Sequence, residues 1–537
     1  MLDVSLTEKN KYFESDIAAP PPLSQLLWKT NASAHFLEDI HCRESYIFIL
    51  ASRIWRSTIH LFSTFHNIGT NMTSAQANGN AVITRVLPVT VSEVGRFHNR
   101  ETLETWELPK SSSDLQSLAE AAEYLRTESI PVAFPTETVY GLGADATRSD
   151  AVKGIYKAKG RPSDNPLIIH VCDLNMLRSL LSSTNSPTLG VDSTDIPDIY
   201  KPLIKRFWPG PLTILLPNPS PSKLAPEVTA GLQTFGARMP SSSLALSLIR
   251  LAGVPVAAPS ANASTKPSCT TAEHVFHDLN GRIEIILDGG PCQVGVESTV
   301  VDGMCDPPVV LRPGGIGIDE IRECHGWEGV VKGYKDQSEI GDNAPRAPGM
   351  KYKHYSPRAK VILYEAEARS EPLLGDEAFS VVKARVGEEK QVGCEMLPSE
   401  KPAMVGIITT KHWLFRPGQE DQTAGYSIQL NEEAKDTGDT AQVLHSNEFM
   451  LYTSKHKPWI EDPGYQPKSW HVANCIKISL GSEIKDIAHG LFSALRGLDQ
   501  RGCDVIFVEG IQDEGDIAAA VMNRLRKAAV TVIDNRR

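Results

Sequence analysis

Lys157, Lys159 and Arg161 put three cations within five residues, and Gly160 and Pro162 bring a helix to a stop among them. A solvated helix end, favoured by the C-terminal dipole, would account for the grouping. Cations projecting from a turn could also clamp a polyphosphate from two sides, Arg with its planar fork and Lys as a point charge. Asn165 and His170 flank the apolar run that follows, residues 167–171. No Gly-Lys dipeptide occurs, which excludes a Walker-type phosphate loop.

Upstream, Pro135-Thr136-Glu137-Thr138-Val139-Tyr140-Gly141-Leu142-Gly143 reads as a turn between a strand and a helix opening near Ser149. Its glycines admit a ligand close to the backbone, and its Thr and Tyr hydroxyls offer directional hydrogen bonds. Gly141, Gly143 and Ala146 also satisfy the G-x-G-x-x-A dinucleotide fingerprint, which needs an acidic residue about 20 positions on. Asp164 is the near match, in a Pro-bounded loop ahead of the next strand, so a nicotinamide oxidoreductase rests on the glycines alone.

Three further pieces carry hydroxyl, amide or arginine groups at strand ends, where open α/β sheets collect ligands. They are Thr234-Phe235-Gly236-Ala237-Arg238, then Ser260-Ala261-Asn262 running on to Lys266-Pro267-Ser268, then Glu297-Ser298-Thr299-Val300-Val301-Asp302 with Leu311-Arg312-Pro313-Gly314-Gly315. Polar neutral and cationic groups outnumber any Cys, His or carboxylate cluster, which argues for an anion site and against a metal centre.

The elements that must position these groups alternate between short apolar runs and helical periods. A helix with Ser113 and Gln116 at capping-box spacing leads into a strand at 130–134, and further strands are expected at 167–171, 212–216, 254–258, 283–287, 298–301 and 308–311. That is one α/β domain. A second follows, with strands at 361–364, 405–409, 476–480, 505–508 and 530–533 and two helices, the first capped by Ser482 and the second over 516–529. Strand, helix, strand, helix, strand implies a small parallel sheet. The expected boundaries are a poorly ordered N-terminal extension over 1–110, a first domain over 111–317, a linker rich in Gly, Pro and charge over 318–358, and a second domain over 359–537.

With 537 residues, 41% hydrophobic and 22% charged, the chain has the composition of a folded protein of several domains. Its 54 basic and 65 acidic residues give a net charge of −11, so nucleic acid would have to be held by a local patch. Nine cysteines without a C-x-x-C pair suit free thiols in a reducing compartment. Arg53 and Arg56 interrupt the best membrane-span candidate, and Asp3, Glu8, Glu14 and Asp16 do not suit a signal or transit peptide. A cytoplasmic protein is expected.

In combination, the P-T-E-T-x-Y-G-L-G turn, the Lys159-x-Arg161 pair with its R-P-x-x-N-P-L tail, Ser260-Ala-Asn262, the Ser298-Thr-x-x-Asp302 strand and the L-R-P-G-G ending resemble the YrdC-type domain of threonylcarbamoyl-AMP synthases. The block Pro348-Gly349-Met350-Lys351-Tyr352-Lys353-His354-Tyr355-Ser356-Pro357, followed by another α/β domain, is similar to the two-domain form. The resemblance implies a YrdC-like twisted mixed sheet with helices and a smaller Rossmann-like parallel sheet. It implies condensation of L-threonine, bicarbonate or CO2, and ATP into threonylcarbamoyladenylate, with Mg2+ carried on the phosphates. By the same resemblance Lys159, Arg161, Ser260 and Asn262 are the core tetrad. Arg161, Asn165, Thr234, Ser260, Ser268, Arg312 and Tyr352 would contact ATP, and Thr138, His170, Arg238 and Ser298 would hold L-threonine. The segment with Tyr352, His354 and Tyr355 would strap the site shut. A tRNA threonylcarbamoyl transferase complex would take the product. The alternative is a non-catalytic module for tRNA or double-stranded RNA, with Lys153, Lys157, Lys159 and Arg161 as its basic surface.

Overall fold

The computed structural model describes residues 82–90, 94–110, 115–182, 195–333, 354–366, 402–413, 420–421, 426–430, 446–454, 469–513 and 515–534, all within one unit, Ala81–Arg537. Strand formation begins earlier than the sequence suggests. Arg85–Pro88 forms β1, followed by a hairpin of β2 (Arg96–Phe97) and β3 (Trp106–Glu107). The expected poorly ordered extension is therefore corrected over this stretch. β1 pairs in parallel with Ile285–Asp288, and Trp106 Nε1 donates to Ser247 Oγ at 2.9 Å in the core.

β4 (Val132–Pro135), β5 (Tyr140–Asp145), β6 (Ile168–His170), β7 (Leu212–Pro217), β8 (Thr234–Arg238), β9 (Val256–Ala257), β10 (Ile285–Asp288), β11 (Thr299–Asp302), β12 (Val309–Arg312) and β13 (Val331–Lys332) join β1 in one sheet. Its order is β1-β10-β4-β5-β9-β6-β8-β7-β11-β12-β13, with parallel and antiparallel neighbours mixed. β4 and β5 are buried along their whole length, which is why their sequences do not alternate. The helix Leu115–Thr127 lays Leu118, Ala121, Ala122 and Leu125 on the core at helical spacing; the cap expected at Ser113 lies outside the described residues. Two expectations fail here. β5 and β8 were not anticipated as strands, and the start of the supposed linker is folded, with a helix Ile318–Arg322 and β13 completing the sheet edge.

The second sheet contains β14 (Lys360–Tyr364), β15 (Ala403–Thr409), β16 (Glu420–Asp421), β17 (Tyr426–Leu430), β18 (Ser446–Ser454), β19 (Ser469–Ser479), β20 (Val505–Glu509) and β21 (Thr531–Ile533), in the order β16-β17-β18-β19-β15-β20-β14-β21. All five expected strands are present, and β19-β15-β20-β14-β21 are parallel neighbours. The Rossmann-like expectation is extended by an antiparallel ladder, β16-β17-β18, paired onto β19. The helix Ile484–Gln500 buries Ile487, Leu491, Leu495 and Leu498; Glu483, not Ser482, holds its N-cap position, without a side-chain cap bond. A second helix, Asp516–Ala528, packs beside it. Among the described residues no helix is long and apolar enough to cross a membrane.

The two domains share side chains. Val139 and Val296, from the first domain's motifs, are buried in the second domain's core with Tyr355, Leu491 and Phe492. Gly295, with φ of +81°, lies so close to the helix that a Cβ would stand 2.5 Å from His489 Cα.

Candidate active site

The turn between β4 and β5 opens the site. Thr136 Oγ1 donates to Val139 O at 2.7 Å and accepts from the Val139 amide at 3.3 Å, closing the turn in place of a longer loop. β5 runs antiparallel to β4, so the turn joins strand to strand and not strand to helix. Gly141 and Gly143 therefore lie inside β5, where a Cβ on Gly143 would meet Phe134 at 2.6 Å. Gly143 serves core packing, Gly141 lines the cleft, and with both inside a strand the dinucleotide fingerprint is set aside. Tyr140 OH donates to Gly290 O at 2.8 Å, which occupies it.

Thr138 faces Arg238 from the end of β8. Arg238 Nη1 donates to Thr138 Oγ1 at 2.9 Å, Nη2 pairs with Glu137 Oε1 at 2.5 Å, and Nε donates to Gly210 O at 3.2 Å. His170 ends β6 beside them. Burial, then the charge of Arg238, pushes its imidazole down to about 3, so it is neutral; Nδ1, 3.3 Å from Ile168 O, is placed to donate, leaving Nε2 as an acceptor. Ser298, just ahead of β11, shares a hydrogen bond with Thr213 at 2.8 Å and accepts from Arg312 Nη2 at 3.0 Å.

Lys159 is the last residue of the helix Ser149–Lys159, and Gly160, with φ of 62°, turns the chain back in the left-handed region. That reversal sends the two cations to different places. Lys159 is buried and donates to the carbonyls of Ser260 and Asn262, the latter at 2.6 Å; burial first, then Arg161, lowers its ammonium to about 7. Arg161 lines the cleft, and its buried Nη2 has no protein partner. Ser260 Oγ donates to Asn262 Oδ1 at 2.6 Å, while Asn262 Nδ2 donates to Ala263 O and Lys266 O at 2.8 and 2.9 Å. Asn262 is thus the internal brace of the loop that presents Ser260. The basic surface expected for RNA is also divided, since Lys153 pairs with Glu227 at 3.1 Å on the outside and Lys159 points inward.

The cleft lined by these groups is open to solvent and holds about 570 Å³ when the open part is counted. Thr138, Arg161, His170, Arg238, Ser260, Ser298 and Arg312 line it, as expected, and the strap residues His354 and Tyr355 close one side. Tyr355 stacks on Phe492 with ring centroids 5.3 Å apart. Lys159, Asn262, Asn165, Thr234 and Ser268 are not lining residues. The first two brace the loop, Asn165 has a buried Oδ1 without a protein partner, Thr234 starts β8 opposite Pro217, and Ser268 Oγ donates to Glu297 at 2.5 Å. Tyr352 lies outside the described residues.

Family models match both domains: one described as "Telomere recombination" over residues 123–314 and one described as "Threonylcarbamoyl-AMP synthase, C-terminal domain" over 316–530. A threonylcarbamoyl-AMP synthase of Schizosaccharomyces pombe is 42% identical over 434 residues, covering 79% of this chain and 90% of that protein. The chain belongs to the threonylcarbamoyl-AMP synthase family. The Bacillus subtilis member is 41% identical, over 78% of this chain and 94% of its own length. Among solved structures, Pyrococcus abyssi Sua5 complexed with L-threonine superposes with a TM-score of 0.56 at 34% identity, covering 84% of this chain and all of that one.

For a threonylcarbamoyl-AMP synthase, the expected site residues leave out three that the structure brings in. Glu137 and Glu297 stand inside quoted motifs without an assigned part, and a carboxylate in an anion site gives no sequence signal until its counter-charge is known. Glu297 lines the cleft and accepts from Ser268 Oγ and from Arg524 Nε at 3.0 Å. Arg524 comes from the helix Asp516–Ala528, and its position on the stripe of Val521, Leu525 and Ala528 was the available signal.

Proposed function

We propose that this cleft condenses L-threonine, bicarbonate or CO2, and ATP into L-threonylcarbamoyladenylate and pyrophosphate, as a nucleotidyltransferase supplying tRNA threonylcarbamoyladenosine modification. The observation that carries the reading is Arg161 Nη2, a buried guanidinium donor without a partner, in a cleft that also holds Arg238 and Arg312. A buried cation left open in this way suits an anionic ligand.

In this reading ATP lies against Arg161, Ser260 and Arg312, and L-threonine against Thr138, His170, Arg238 and Ser298. The carbamate of threonine attacks the α-phosphorus, a carbamate oxygen–phosphorus bond forms, and pyrophosphate leaves with the electrons of the broken α–β bridge. A carbamate is already a competent nucleophile, so the chain needs to orient it and stabilise phosphate charge. A neutral His170 fits this: with Nδ1 placed to donate to Ile168 O, its Nε2 accepts from the hydroxyl or the carbamate N–H of the substrate. Lys159 and Asn262 brace the Ser260 loop from behind. Magnesium enters with the nucleotide, where it neutralises phosphate charge. Glu137 and Glu297 are both held by arginines, so the residues fit an ion carried on the phosphates, not one held in a protein cage. Tyr352 is assigned to the ATP side of the strap, and the product passes to a tRNA threonylcarbamoyl transferase complex.

The test is pyrophosphate release from ATP, followed with each substrate omitted in turn. Release should require L-threonine and bicarbonate together, with the adenylate seen by mass spectrometry. Discrimination against L-serine, which lacks one methyl, should be modest, about 1–3 kcal/mol. Release that proceeds equally without threonine would refute the reading.

A further inference from the structure

Glu297 is the one carboxylate among the described residues lining the cleft, where three arginines otherwise gather. Such a group repels a polyphosphate unless something cancels it. The cancelling charge comes from the other domain. Arg524 has a fully buried side chain, donates from Nε to Glu297 Oε2 at 3.0 Å and from Nη1 to Pro313 O at 2.5 Å, and sets its guanidinium carbon 5.8 Å from the centre of the Tyr355 ring. One side chain therefore touches the carboxylate, the backbone next to Arg312 and the strap. Burial alone would raise the Glu297 carboxyl, but Arg524, then Arg312 and the Ser268 hydroxyl, hold it at about 2.

We propose that Arg524, carried by the C-terminal domain, is a positioning residue of the nucleotide site: by neutralising Glu297 it keeps an uncompensated carboxylate from facing the phosphates beside Arg161. Without Arg524, Glu297 would lose the ion pair on its Oε2 and keep the Ser268 hydroxyl on Oε1. Its charge would then face the phosphates uncompensated. The C-terminal domain thereby supplies part of the site's electrostatics as well as its cover.

The inference rests on the cleft being an ATP site, and the experiment separates the two. Full-length wild type, Arg524→Met, Glu297→Gln and the double variant are titrated calorimetrically with an ATP analogue carrying a methylene between the α and β phosphorus, and their kcat and KM for ATP are measured beside their melting temperatures. Arg524→Met should weaken analogue binding and raise KM ~10-fold or more while kcat changes less than ~3-fold. The double variant, which has no uncompensated carboxylate, should recover most of that loss. Wild-type analogue affinity in Arg524→Met, or a double variant that binds as weakly as Arg524→Met, would overturn the proposal and reduce Arg524 to a domain staple. If Arg524→Met does not fold, Arg524→Lys decides: it keeps the charge, so a loss of affinity of ~10-fold or more in folded protein overturns the proposal and near-wild-type affinity supports it. A wild type that binds no analogue refutes the ATP reading itself.

Discussion

Two walls of the cleft are built around a buried arginine–carboxylate pair, and they are built differently. On the wall proposed for threonine Arg238 and Glu137 meet at 2.5 Å within one domain, both from motifs that surround the site. On the wall proposed for the phosphates Arg524 and Glu297 meet at 3.0 Å across the domain boundary, 227 positions apart. The first pair organises its own wall, since Arg238 also holds Thr138 and Gly210. The second makes one domain's site depend on the other's helix. One cleft can thus have one wall specified locally and the other remotely.

The largest effect should come from breaking the local pair. Arg238→Met strips a fully enclosed carboxylate of its partner, and urea unfolding should register a loss of about 3–5 kcal/mol. A loss below about 1 kcal/mol would mean that the two walls do not differ in the way described. Next is Arg161→Ala, which removes a cation with an uncommitted donor. Turnover should fall about 10²-fold while the melting temperature hardly moves, because no protein hydrogen bond at Nη2 is lost. Lys159→Ala should differ from it by melting lower as well, since it leaves the carbonyls of Ser260 and Asn262 without their donor.

The smallest effect is a pH dependence that sharpens the phosphate wall. In the free protein Lys159 is held near 7, below its ordinary 10.5, chiefly by burial and then by Arg161. Bound phosphates favour the protonated form, so ATP affinity should be level below about pH 7 and fall above it. From pH 7 to 9 the drop should be a few-fold, on the order of 3 to 10, and Lys159→Met should retain only the nucleotide's own pH dependence. Identical pH profiles for the two proteins would show that the ammonium acts on the Ser260 loop alone.

What was legible in the sequence follows the same division. β4, β7, β14, β15 and β20 announce themselves as apolar runs, and the lining residues Thr138, Arg238, Ser298 and Arg312 sit in motifs at strand ends, with Arg161 in the turn that stops a helix. β1 goes unread although residues 81–89 are mostly apolar, because a four-residue edge strand ending in Pro88 is too short for a period to stand out. Gly143 misled, because a glycine that admits a neighbouring side chain looks the same as one that admits a ligand, as Gly141 at the cleft does. Arg496 and Arg524 stand in no motif. Arg524 falls on its helix's apolar stripe, while Arg496, one turn after the buried Phe492, spends its donors on Ser268 O, Pro267 O and Asp278, across the same boundary. An arginine in an apolar register is where a sequence reader should look for a partner in another domain.

Val139 and Val296 flank the threonine turn and the Glu297 strand, yet their side chains complete the core of the C-terminal domain. Neither half of the chain owns a finished interior. Heating should accordingly give a single calorimetric transition in which both sheets lose structure together, since loosening either one uncovers apolar surface belonging to the other. The cleft lies on that seam, so its affinity for ligands and the cooperativity of the whole fold should rise and fall as one quantity.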